Sequence, residues 1–244
     1  MIAQIRAELL KVRSTRTTIG VVLGMLGLIL LFSLLAGLVA RPGELTGRAS
    51  QLQLLNIGNL AGAFSAIAGL LLVTSEYRHG TIRPTVLFTP ARPRMLAAKL
   101  LAAALTGAAF GVAGEGLGWA IGYTILKSRG IPFALTSNDI ELLGIGAIAG
   151  VATWATIGAA LGAIVRNQVA GIIALLVWGF VIDNLLHEYV PSIGRFTPAR
   201  AENALSNMRT AHLLSPAVGG LVLLAWIALL AMIALPLTAK RDIA

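Results

Sequence analysis

The sequence contains no cysteine, which excludes disulfides and thiol chemistry. It is also short of charge. Only 12% of its residues are Asp, Glu, Lys or Arg, against about a quarter in a soluble domain. Acids are scarcest: 10, against 19 Lys and Arg, for a formal net charge of +9. No G-x-x-x-x-G-K-[ST] run is present, and no glycine-rich loop is followed by a lysine suited to cradling phosphates. Any ATP-driven work therefore needs a motor outside this chain. The absence of G-x-S-x-G, of H-E-x-x-H and of a membrane-buried pair of aspartates argues against a membrane protease. There is no internal repeat and no low-complexity linker.

What is abundant is apolar surface. Apolar residues make up 57% of the chain, and the mean hydropathy is +0.85. Several apolar stretches exceed the roughly 20 residues that cross about 30 Å of hydrocarbon as a helix. The pattern predicts an all-α, polytopic membrane protein forming one transmembrane domain over residues 1–244. Its six spans are expected at roughly 18–40, 54–75, 95–126, 140–165, 168–187 and 216–238. The first is too long for a signal-peptide core, and Leu38-Val39-Ala40 lacks a small-x-small cleavage pattern, so it should be retained. The third exceeds the thickness of a bilayer and should tilt or project. Pro216 suits the first turn of the sixth.

Lys and Arg orient the spans. With the N-terminus inside, the inner segments carry Arg6, Lys11, Arg13, Arg16, Arg78, Arg83, Arg92, Arg94, Lys99, Arg166, Lys240 and Arg241, offset by Glu8, Glu76 and Asp242. The outer segments are near balance, so the excess of +9 falls on one side. Both termini are expected in the cytoplasm, and the protein in the cell membrane. The same clustering at membrane edges makes the pI of about 11.1 a topology signal, with no nucleic-acid partner implied. In residues 1–16, Ile2, Ile5, Leu9 and Val12 recur at steps of three and four, with Arg6, Lys11, Arg13 and Arg16 on the remainder. That predicts a helix lying in the inner interface, its basic side chains near lipid head groups. A solvated basic tail is the simpler alternative.

The segment 76–94 is longer than a turn between spans requires. It begins Glu76-Tyr77-Arg78-His79-Gly80-Thr81-Ile82-Arg83-Pro84. Gly80 permits a left-handed or tight turn, and Thr81 can cap a helix beside it. Glu76 and Arg78 can make charge-assisted hydrogen bonds to a partner's groove. These features predict a docking element; an ordinary positive-inside loop is the alternative.

With Pro90, Arg92 and Lys99 following, this run resembles the E-x-x-x-G-T motif of the membrane subunit (permease) of ATP-binding-cassette exporters of the second type. The resemblance extends over nearly the whole chain: an N-terminal elbow helix, six spans, a coupling segment between spans two and three, and a partly helical external element between spans five and six. It implies ATPase coupling through Glu76, Arg78, Gly80, Thr81 and Arg83. It also implies two copies of an ABC ATPase subunit that hold the ATP and Mg, and a second permease copy or paralogue completing a dimer. No cofactor is expected in this chain itself. Pro84 departs from the pattern and restricts Arg83 away from helix, so the coupling helix is short or begins at Pro84.

Glu115 is the one acid deep inside a span. An ionised carboxylate there costs roughly 2.5–3.5 kcal/mol. Gly111, Gly118 and Gly122 share its helix face, where a neighbour can approach closely. Glu115 is thus either a pathway residue or a protonated group hydrogen-bonded across a helix interface. Asp183, Asn184 and His187 close span five; they suit a polar gate or an interfacial end. Asp183 and His187 alone make too few ligands for a metal. The following stretch, 188–215, is expected to hold a helix from Pro198 to about Met208. The pairs Gly146/Gly150 and Gly158/Gly162 suggest helix packing.

The expected function is the permease half of an ATP-driven exporter of an amphipathic or hydrophobic substrate (a drug, peptide or lipid-like molecule), with no enzymatic activity of its own. The alternatives are a proton-coupled secondary transporter using Glu115, and a membrane anchor or assembly factor.

Overall fold

Six helical segments are long and apolar enough to cross a membrane: Arg16–Val39, Arg48–Arg78, Arg92–Ser128, Ser137–Val165, Gln168–Tyr189 and Pro216–Thr238. The computed structural model describes residues 1–82, 91–206, 208 and 213–240, and among them there is no strand. The helices are α1 (Ile2–Ser14), α2 (Arg16–Val39), α3 (Arg48–Leu55), α4 (Ala61–Arg78), α5 (Arg92–Ser128), α6 (Ser137–Val165), α7 (Gln168–Val177), α8 (Asp183–Tyr189), α9 (Pro191–Gly194), α10 (Pro198–Leu205) and α11 (Pro216–Lys240).

Spans two, three and four are the buried ones, whereas spans one, five and six expose most of their surface. The reason is side-chain size. Gly69 and Gly158 let α4 and α6 meet backbone to backbone: a Cβ on Gly69 would collide with Ala155 O, and one on Gly158 with Ala66 O. Lipid offers no hydrophobic drive for helices to associate, so such small-residue contacts supply the packing. Ser65 adds a bridge between the two helices, its Oγ donating to Val151 O at 2.9 Å. The pairs Gly146/Gly150 and Gly158/Gly162 all lie at close helix contacts, the first pair against Ser206 and Glu202 of the segment containing α10.

Helix ends follow local chemistry. Thr136 and Asp139 form a reciprocal capping box at the start of α6. Asn167 caps α7 by accepting from Ala170 N at 3.0 Å. Arg166, between them, takes a left-handed φ of 55°, and this turns the chain sharply from span four into span five. Its guanidinium donates to Leu237 O near the C-terminal end of α11 at 3.1 Å and lies 5.2 Å from the Tyr77 ring centroid. Arg92 donates to Thr238 O at 3.4 Å. The ends of spans two, four and six, the start of span three and α1 therefore share one face of the bundle, where α1 begins and α11 ends. At the opposite face Arg48 of α3 pairs with Asp139 through its Nε and Nη2, and Arg129 donates to Ala40 O and Leu38 O.

Two spans differ from expectation. The second begins at Arg48 instead of 54 and is discontinuous: a 3-10 turn at Asn56–Leu60 separates α3 from α4. The fifth contains a π-helical turn at Trp178–Ile182. Hydropathy registers neither break, because each of these two spans stays apolar when averaged over a membrane-spanning length. After span five, α10 ends at Leu205, short of Met208.

Candidate functional site

Two polar centres stand out in an otherwise apolar bundle. The first lies on the face where α1 begins and α11 ends. Lys99, fully buried near the start of α5, donates to Glu8 Oε1 of α1 at 2.9 Å and to Glu76 Oε1 of α4 at 2.7 Å. Lys11 repeats both contacts at 3.1 and 2.6 Å. Two lysines and two glutamates thus close a neutral ring tying three helices together. Burying a charge costs several kcal/mol and is repaid only by close pairing, so the ring holds α1 in one place. Burial pulls the Lys11 ammonium down, but its hydrogen bond to Glu76 and the charges of Glu76 and Glu8 outweigh it, and its pKa is raised above the ordinary 10.5. Ile5, Leu9 and Val12 pack on the core beneath, while Ile2 stays exposed. Arg6, Arg13 and Arg16 point outward.

This ring changes the reading of Glu76. Expected to reach a partner's groove, it is instead 4% exposed, with its Oε1 accepting from both lysines and its Oε2 buried without a hydrogen-bond partner. Residues beside it do face outward. Arg78 is exposed and donates to Gln168 Oε1 at 3.3 Å. Gly80 has a φ of 68° with open space where a Cβ would stand, and Thr81 is exposed. Arg83, Pro84 and Pro90 lie outside the described residues.

The second centre is in the middle of the bundle, around the 3-10 turn of span two. Glu115 on α5 is buried, and Trp119 Nε1 donates to its Oε1 at 3.1 Å. Its partner is therefore on its own helix, not across an interface as the glycine pattern suggested. The Oε2 atom has no hydrogen-bond partner. The neighbouring helix does come close: a Cβ on Gly58 would stand 2.5 Å from Glu115 Cα and 2.6 Å from its Oε2. Gly118 faces Gly58 and Leu55, and Gly122 faces Leu54 and Leu55, whereas Gly111 faces α6.

Glu202 of α10 enters the same region from the other side. It is 3% exposed, its Oε2 accepts from Trp154 Nε1 at 2.8 Å, and its Oε1 lies against Gly150. Two buried carboxyl groups therefore flank one 3-10 turn. Beside it opens a lateral cavity of about 640 Å3 between spans one, two, four and five and α10. Its wall includes both breaks in regular helix: Asn56, Asn59 and Leu60 from the 3-10 turn, Gly179 and Phe180 from the π turn. Non-α backbone at membrane depth is tolerated where protein or a cavity receives its polar groups, and π turns gather at functional sites.

Asp183, Asn184 and His187 do not form one site. Asp183 is buried and pairs with Arg200 of α10 at 3.7 Å, and Asn184 Nδ2 donates to Phe180 O at 3.1 Å. His187 packs beside Gly194. Among the described residues no three His, Cys, Asp or Glu side chains gather where a metal could sit.

Sequence reasoning missed Glu8 as a structural partner, and Asn56, Asn59, Trp154 and Glu202 as cavity residues. Weak signals existed. Glu8 and Lys11 are three apart on a basic helix, and Asn56 and Asn59 are three apart around a glycine inside an apolar run. Glu202 carried none, since it lies in a segment read as external. No protein-family model matches this sequence, and no curated protein matches it significantly.

Proposed function

We propose that this chain is the membrane-spanning half of an ATP-driven exporter of the second ABC type, working as a dimer with two separate ATPase subunits. The face where α1 begins and α11 ends, which carries the basic residues, is then cytoplasmic, and the segment between α4 and α5 is the docking element. The observation that carries the reading is the ring of Glu8, Lys11, Glu76 and Lys99. A motor pushing on a loop does no work on a transporter if the loop yields. Here the two helices that flank the loop are joined to each other by the buried Glu76–Lys99 pair, 23 residues apart, and to α1 through Glu8 and Lys11, so displacement of the loop moves spans two and three together. Span two bears the 3-10 break, which connects that displacement to the cavity wall. The substrate is an apolar or amphipathic molecule, matching the character of the cavity.

A second reading, a proton-coupled transporter, draws on Glu115, whose unpaired oxygen is buried beside Gly58. Affinity purification from native membranes separates the two. An ABC ATPase should co-purify and be identified by mass spectrometry, and Gly80→Pro should release it, because proline cannot adopt a φ of 68°. Transport by the purified chain alone, driven by a proton gradient, would select the second reading.

A further inference from the structure

We propose that the lateral cavity binds an apolar organic amine in its cationic form, with Glu202, Asn56 and Asn59 holding its N–H groups. The inference rests on the exporter reading in one respect: it names the class of molecule that the cavity would carry.

The wall is apolar over most of its extent, with Phe32, Leu35, Ile67, Leu175 and Phe180 among its residues. At about 640 Å3 it has room for a drug-sized molecule. Against this apolar surface three residues of the wall each carry a buried oxygen without a hydrogen-bond partner: Glu202 Oε1, Asn56 Oδ1 and Asn59 Oδ1. With Glu202 ionised all three are acceptors, and a donor relieves them. Among the described residues no Lys or Arg lines the cavity. A neutral apolar ligand would leave all three oxygens unpaired, and an alcohol would satisfy one. A primary or secondary ammonium brings two or three donors and the charge that a carboxylate requires. The opposite oxygen of Glu202 is held by Trp154 Nε1, which fixes the carboxyl at the wall. Phe32 and Phe180 line the cavity and add apolar surface for the hydrophobic body of such a molecule. A bare metal ion fits less well, because it needs a closed shell of oxygens and this wall is open and mostly carbon.

The test uses the purified full-length chain in nanodiscs of zwitterionic lipid, with no ATPase present. The probe is desipramine, a tricyclic secondary amine; the control is iminodibenzyl, the same tricycle without the amine tail. Binding is followed by isothermal titration, with empty nanodiscs subtracted. Saturable desipramine binding is expected in the wild type. Glu202→Gln, which keeps an acceptor for Trp154, should weaken it on the order of tenfold. Asn59→Leu should weaken it several-fold, and carries the same test if Glu202→Gln does not fold. Iminodibenzyl should bind weakly and equally to every variant. No saturable binding in the wild type, or equal desipramine affinity in both variants, overturns the proposal; so does displacement by sodium but not by choline at equal ionic strength. Because no ATPase takes part, failure here speaks against the amine site alone, whereas failure of an ATPase to co-purify speaks against the exporter reading alone.

Discussion

Lys99 and Glu115 show how differently two buried ionisable residues can be accommodated. Lys99 has partners on two other helices, Glu8 and Glu76, and its side chain is only 2% exposed. Removing one member of a buried ion cluster leaves the others uncompensated, at a cost of about 3–5 kcal/mol. Lys99→Met should therefore lower thermal stability in detergent sharply and open the chain near Thr15 to protease. Lys11→Met, at a side chain 46% exposed, should do markedly less. Equal effects would show that the ring does not hold α1. Glu115 makes one hydrogen bond, from Trp119 on its own helix. Glu115→Gln retains the acceptor and should leave stability unchanged. Glu115→Leu strands the indole N–H and should cost about 1–3 kcal/mol, read as a lower Tm. A Gln variant of normal stability but altered transport would place Glu115 in the pathway.

At the scale of elements, the central question is how a 3-10 turn survives inside span two. It does so because α5 presents glycine to it. Gly58 and Gly118 meet backbone to backbone, and a Cβ on Gly118 would stand 2.8 Å from Gly58 N. Gly58→Val would drive a branched side chain into Glu115 Cα and Gly114 O, neither of which can rotate away. Overpacking of this kind costs about 1–3 kcal/mol or more, and the variant should show a lower Tm and a disturbed cavity. Gly130→Ala is the contrasting case. Its φ of 65° is strained for any L side chain, yet nothing lies near the Cβ position, so the loss should be about 1 kcal/mol and confined to the α5–α6 turn. If Gly58→Val proves no worse than Gly130→Ala, close packing at the break is refuted.

For the whole molecule, the distribution of charge predicts orientation. The absence of native cysteine makes the test clean. Single cysteines at Ser14, Ser128 and Ser192 all fall at exposed positions, whereas Ser206, in the same external stretch by sequence, is fully buried and would report nothing. In intact cells an impermeant thiol reagent should label Ser128→Cys and Ser192→Cys and spare Ser14→Cys. Labelling at Ser14→Cys from outside would invert the topology and remove the docking element from the cytoplasm.

The amino-acid sequence by itself determined the all-helical membrane class, six spans to within a few residues at most ends, and the amphipathic N-terminal helix. These follow from composition and from periods of three and four residues, which are local quantities. The placement of Glu115 on a glycine face was legible for the same reason. Only the tertiary structure decided what those residues touch. Glu76 turned inward because Lys11 and Lys99, at sequence distances of 65 and 23, converge on it. Glu202 entered the bundle because Gly150 leaves room for its carboxyl and Trp154 offers a donor, although its own helix reads as a surface element. The breaks in spans two and five were hidden because hydropathy counts side chains, whereas a 3-10 or π turn is stabilised by the neighbours that receive its backbone.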